Sequence, residues 1–115
     1  MLIPIRIMPG DTLIREGEPS DCLYILKSGD LIVSKFADGK PTQLGNIKPG
    51  ESVGEMSFLD NLPRSATVKA VTPCELWMIN RPQFEQELAQ SGVFIQTILK
   101  ALSGRLRRAD KKLLT

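Results

Sequence analysis

Val53-Gly54-Glu55-Met56-Ser57-Phe58-Leu59-Asp60-Asn61-Leu62-Pro63-Arg64-Ser65-Ala66-Thr67-Val68-Lys69-Ala70 decides the reading of the chain, because its middle part, Gly54 to Arg64, interrupts an otherwise regular β pattern. A short strand ends at Gly54, Met56-Ser57-Phe58-Leu59 has room for one helical turn, and Asp60-Asn61-Leu62-Pro63 makes a tight connection to the next strand. Gly54 lets a ligand approach the backbone closely. The amides of Glu55, Met56 and Ser57 stand at a helix start, where N–H groups lack intrahelical partners and anions are held. Glu55 fits beside an anion if the ligand also brings a donor, and a ribose 2′-hydroxyl is such a donor. Arg64 offers a planar fork suited to two oxygens of one phosphate, and Ser65 adds a hydroxyl and an amide. Taken singly, Glu55 reads as a solvated acid, Arg64 as its ion-pair partner and Ser65 as a strand residue. At this spacing, after a run of strands, the three together point to a ligand site.

On the N-terminal side, turn signals recur at short intervals at Pro9-Gly10-Asp11, Glu16-Gly17-Glu18-Pro19, Ser28-Gly29-Asp30, Asp38-Gly39 and Lys48-Pro49-Gly50. The runs between them, Thr12–Arg15, Cys22–Lys27, Leu31–Phe36 and Thr42–Ile47, read as strands, with Asp38-Gly39 as a hairpin turn. Ser65–Val71 and Cys74–Ile79 read as two more. Even spacing of this kind predicts an antiparallel, jelly-roll-like β-roll.

Beyond Asn80 the period lengthens to three or four. Asn80 is an N-cap candidate, Pro82 suits a first helical turn, and Phe84 and Leu88 share a face of a helix ending near Gly92. From Val93 onward Ile95, Leu99, Leu102, Leu106, Ala109 and Leu113 recur at spacings of four and three. This is a heptad seam that either packs on the sheet or pairs with a second copy. Gly104 costs such a helix roughly 1 kcal/mol.

Composition narrows the function classes. A chain of 115 residues, 42% hydrophobic, suits a single core. It has no histidine, which removes His-based triads and His-ligated metal sites. Cys22 and Cys74 lack metal-ligand spacing and read as reduced core thiols. Neither a signal peptide nor a membrane segment is evident, so a soluble, cytoplasmic protein is expected. The net charge of +2 hides a basic tail containing Lys100, Arg105, Arg107, Arg108, Lys111 and Lys112. No aromatic residue is interleaved with these charges, so the tail reads as a solvated helix flank rather than a nucleic-acid contact.

Val53–Ala70 resembles the phosphate-binding cassette of cyclic-nucleotide-binding domains, found in catabolite-activator-type regulators, cyclic-nucleotide-dependent kinases and gated channels. The shared pattern is Gly-Glu, a small and an apolar residue, a short loop, then Arg-Ser-Ala-x-Val. The run Leu13-Ile14-Arg15-Glu16-Gly17-Glu18-Pro19-Ser20-Asp21-Cys22-Leu23-Tyr24-Ile25-Leu26-Lys27-Ser28-Gly29 matches a second family stretch. The resemblance implies one domain: a mainly β fold with C-terminal helices, with the β-roll at about 3–79, a hinge helix at about 81–90, and a lid or dimerisation helix at about 93–114. It implies that Glu55 accepts from the ribose 2′-hydroxyl, Arg64 pairs with the cyclic phosphate and Ser65 supports it, with Gly54, Met56, Ser57 and Ala66 around them. Val33, Leu44, Ile47 and Val53 become apolar walls, and Arg105, Ala109 and Asp110 fall on the lid near the base.

Two family positions differ, with Phe58 for a smaller aliphatic residue and Ser20 for Gly, Ala or Cys. The expected ligand is cAMP. Asp110 and Ser65 keep cGMP open, because a carboxylate accepts from either base. No catalytic cofactor is expected. Neither is direct DNA binding: the chain stops at Thr115, where a transcription-factor relative continues, and it lacks the family's leading helices, so it is either part of a larger protein or a minimal version. The expected partners are a second copy through the C-terminal helix and an effector not present in this chain. An enzyme on a cupin-like roll is the first rival and lacks its histidines; a docking module that has lost its ligand is the second.

Overall fold

Alternation of buried and exposed side chains builds two sheets that share one core. A computed structural model describes residues 2–92. The strands are β1 (Ile3–Ile7), β2 (Thr12–Ile14), β3 (Cys22–Ser28), β4 (Leu31–Ala37), β5 (Lys40–Ile47), β6 (Ser52–Val53), β7 (Thr67–Ala70) and β8 (Cys74–Asn80). Helix α1 (Glu55–Leu59) lies between β6 and β7, and α2 (Arg81–Ala89) follows β8. One sheet has the order β1-β8-β3-β6 and the other β2-β7-β4-β5, and every pairing is antiparallel. Apart from the β4–β5 hairpin, successive strands switch sheets, so the chain rolls up as the turn spacing predicts.

The core comes from alternate positions: Tyr24 and Leu26 on β3, Leu31 and Val33 on β4, Val68 and Ala70 on β7, Cys74 and Leu76 on β8. Their neighbours Lys69 and Glu75 face outward, which fixes strand register, since a one-residue slip would exchange the two faces. Asp38 and Gly39, both in the left-handed region at φ 52° and 78°, close a two-residue hairpin in which Ala37 pairs with Lys40. That turn starts β5 two residues earlier than the apolar pattern predicts. Conversely β7 begins at Thr67 rather than Ser65, because Arg64, Ser65 and Ala66 belong to the crossing from α1. Cys74 is buried, Cys22 is half-buried, and the two are not joined.

Asn80 caps α2 by accepting from the Gln83 amide at 3.0 Å, with Pro82 in the first turn. Phe84 reaches from α2 to α1, its ring meeting Phe58 edge-on with centroids 5.0 Å apart. Phe58 is fully buried, so the larger residue at this position is accommodated by packing against the next helix. Among the described residues, no helix is long and apolar enough to cross a membrane. The expected helix at about 93–114, with its heptad seam and with Arg105, Ala109 and Asp110, lies outside the described residues.

Candidate functional site

The chain leaves the first sheet at β6 and enters the second at β7, and the site is built on that crossing. Gly54 caps α1 in the left-handed conformation, at φ 73° and ψ 22°. A side chain there would be strained by the backbone. Its Cβ would also collide with the Arg64 guanidinium and lie 3.0 Å from Ile14 Cδ1. The first intrahelical bond runs from the Phe58 amide to the Gly54 carbonyl at 3.2 Å. Five residues give α1 little macrodipole, so the charge of the site rests on Arg64.

Arg64 is 5% exposed, and its backbone and side chain are held separately. Its amide donates to Glu18 O at 2.8 Å, and its carbonyl accepts from Gly17 N at 2.8 Å. Ser20 Oγ donates to the Leu62 carbonyl, so the turn before β3 grips the loop after α1. In the side chain, Nη1 donates to Gly54 O at 2.9 Å and Nη2 to the Cys22 carbonyl. The guanidinium therefore bonds to backbone carbonyls, not to Glu55, and the simple ion-pair reading of these two residues does not hold. Burial lowers the Arg64 pKa from the ordinary arginine value, while Cys22, Tyr24 and Asp21 act in the opposite direction. The group still carries its charge.

A polar cluster that the sequence did not single out lies behind this arginine. Cys22 Sγ donates to Tyr24 Oη at 2.9 Å, and burial, more than that contact, pushes the Tyr24 hydroxyl well above its usual pKa. Tyr24, Cys22, Asp21, Glu18 and Arg15 line a small cavity of about 160 Å³ that ends on Arg64. All five residues lie in the Leu13–Gly29 stretch, which matches as a whole and gives none of them a role at the site; the carbonyl partners leave no side-chain signal.

Two oxygens on the same crossing are left over. Glu55 Oε2 and Ser65 Oγ are buried and have no hydrogen-bond partner. A buried unpaired polar atom costs about 1–3 kcal/mol and calls for an explanation, commonly a missing ligand or water. Met56, Ser57 and Ala66 are buried around them. Val33, Ile47 and Val53 are core residues at 3%, 6% and 0% exposure, and Leu44 packs against the same cluster. Glu55, Arg64 and Ser65 are thus assembled on one crossing, with the apolar set in the roll beneath.

This is a β-roll domain whose α1 crossing carries one buried guanidinium and two unsatisfied oxygens. Residues 4–91 match the model of the cyclic nucleotide-binding domain. The chain belongs to the cyclic nucleotide-binding domain family, which is regulatory and generally non-catalytic. It is 39% identical over 94 residues to the acetyltransferase Pat of Mycolicibacterium smegmatis, covering 81% of this chain and 28% of that protein. It is 31% identical over 113 residues to a CRP-like cAMP-activated global transcriptional regulator of Mycobacterium tuberculosis, covering 97% of this chain and 50% of the regulator. The cAMP-bound regulatory domain of Toxoplasma gondii PKA superposes with a TM-score of 0.71 at 40% identity, over 74% of this chain and 33% of that one. The chain spans half or less of the length of these relatives.

Proposed function

We propose that the α1 crossing binds cAMP or cGMP and that occupancy is passed through α2 to the chain beyond it. Arg64 takes the two exocyclic oxygens of the cyclic phosphate. Glu55 Oε2 accepts from the ribose 2′-hydroxyl, and Ser65 Oγ donates to the phosphate. The observation that carries the reading is the pair of buried, unpartnered oxygens on Glu55 and Ser65 on the crossing that also holds a 5% exposed arginine. A nucleoside cyclic monophosphate brings a donor for the carboxylate and an acceptor for the hydroxyl and the cation, whereas inorganic phosphate has no ribose. Gly54, Met56, Ser57 and Ala66 shape the cradle, and Val33, Leu44, Ile47 and Val53 back the sugar and base.

The apolar seam from Ile95 to Leu113 supports a lid over the base that also pairs two copies, with Arg105, Ala109 and Asp110 on the base side. The chain then acts as the sensing part of a larger regulator whose effector is a separate domain or protein. A ligand moves such a helix only through different affinity for its two positions. Calorimetric titration of the full chain with cAMP and with cGMP, repeated on Arg64→Ala, tests the binding. Heat for at least one nucleotide, lost in the variant, is the expected result; no heat for either would leave a docking module that has lost its ligand. Sedimentation with and without nucleotide tests the pairing, and a monomer in both conditions rules it out.

A further inference from the structure

Arg81, the first residue of α2, contacts more separate parts of the chain than its place at a helix start requires. Its amide donates to Asp21 O at 2.9 Å. Its Nη2 donates to Ser20 O at 2.6 Å and to Phe58 O, in the last turn of α1, at 2.8 Å. The guanidinium carbon lies 4.3 Å from the centre of the Phe58 ring, and Nη1 is 3.8 Å from Glu85 one turn along α2. Asp21 and Cys22 are consecutive, so two arginines grip adjacent carbonyls at the head of β3: Arg81 through its amide on Asp21, Arg64 through Nη2 on Cys22.

We propose that Arg81 is the positioning residue that couples the cradle to the hinge helix. This rests on the nucleotide reading above. A phosphate drawing on Arg64 Nη2 competes with the Cys22 carbonyl, and any shift of that peptide reaches Asp21 O and the first amide of α2. A shift of α1 reaches the same residue through Phe58 O and the stacked ring. Arg81 converges both routes on one side chain. One arm of the planar fork, Nη2, satisfies both carbonyls while the guanidinium carbon sits over the Phe58 ring, an arrangement that a tetrahedral lysine ammonium on an unbranched stem does not reproduce. The Phe58 to Phe84 ring contact links the two helices by packing but has no direction to its bonds, so it permits sliding that the two carbonyl bonds forbid.

The test is hydrogen exchange on the full 115-residue chain as wild type, Arg81→Gln and Arg81→Lys, with calorimetry alongside. Without nucleotide, Arg81→Gln speeds exchange of the α2 amides about tenfold while β4 and β5 exchange as in wild type. Equal α2 protection in the two proteins overturns the latch, whether or not either binds nucleotide. With saturating cAMP or cGMP, wild type changes protection in both α1 and α2. Arg81→Gln keeps the α1 response and loses that of α2, whereas an unchanged α2 response overturns the coupling. Arg81→Lys falls between the two, and full rescue by lysine would show that charge alone suffices and refute the fork. If wild type gives no calorimetric heat while Arg81→Gln still loses α2 protection, the nucleotide reading fails and, with it, the coupling to a ligand; the clamp between the helices stands.

Discussion

Arg64 Nη1 donates to the carbonyl oxygen of Gly54 at 2.9 Å, across ten residues of chain, so the buried cation and the turn that opens α1 are set by the same bond. Each fixes the other. Gly54 has no Cβ in the way, and Arg64 in return caps the carbonyl at the start of the helix.

Gly54→Ala therefore loses both halves at once. The residue is held at φ 73°, and the new methyl group would collide with the guanidinium. Thermal or urea unfolding should show a loss of about 1–3 kcal/mol, and nucleotide heat should disappear. A variant with wild-type affinity contradicts this account of the crossing.

Arg64→Lys separates charge from shape. An ammonium cannot serve Gly54 O, Cys22 O and two phosphate oxygens from one plane, so affinity should fall at least tenfold with the charge retained, each hydrogen bond to a charged group being worth about 1.5–3 kcal/mol. Titration calorimetry reads this directly.

The strands were legible because turn residues and alternating apolar positions act locally. Glu55, Arg64 and Ser65 were legible as a constellation because their side-chain types and spacing carry the proposed chemistry. What the sequence hid depends on backbone atoms from far along the chain. The partners of Arg64 are the carbonyls of Gly54 and Cys22, and those of Arg81 are the carbonyls of Ser20 and Phe58. A carbonyl looks the same at every residue, so no pattern announces it. Arg81 entered only as the start of the hinge helix at about 81–90, and Ser65 was also read as the first residue of a strand that begins two positions later.

Glu55→Gln should move stability and affinity in opposite directions. Glu55 Oε2 is buried without a hydrogen-bond partner, so an amide at this position gives up no bond that Oε2 makes in the free protein. The free variant should melt at or above the wild-type temperature, by up to about 1 kcal/mol in stability. Its nucleotide-induced rise in melting temperature should shrink, and its affinity should fall roughly tenfold. Scanning calorimetry with and without cAMP or cGMP measures both.

Tyr24 is the chain's single tyrosine, so its ionisation can be followed without interference. Its folded pKa is raised, chiefly by burial, and the unfolded chain releases the proton at lower pH than the folded one. The stability that Tyr24 contributes is present below the ordinary tyrosine pKa and drains away as pH rises above it. Alkaline unfolding should coincide with the appearance of tyrosinate absorbance, and Tyr24→Phe should make the loss less steep. A tyrosinate signal that rises well before unfolding would show that the hydroxyl is not held as described.

The oxygens left unpaired on Glu55 and Ser65 bear on how long a molecule of this protein lasts. On the nucleotide reading, an empty copy carries an internal cost that a filled copy has shed, and binding adds stability in proportion to the logarithm of nucleotide concentration. Empty copies then open more often and meet proteases sooner. The amount of receptor present would itself rise when its signal persists, giving the domain a slow memory of the nucleotide alongside the faster helix response proposed above.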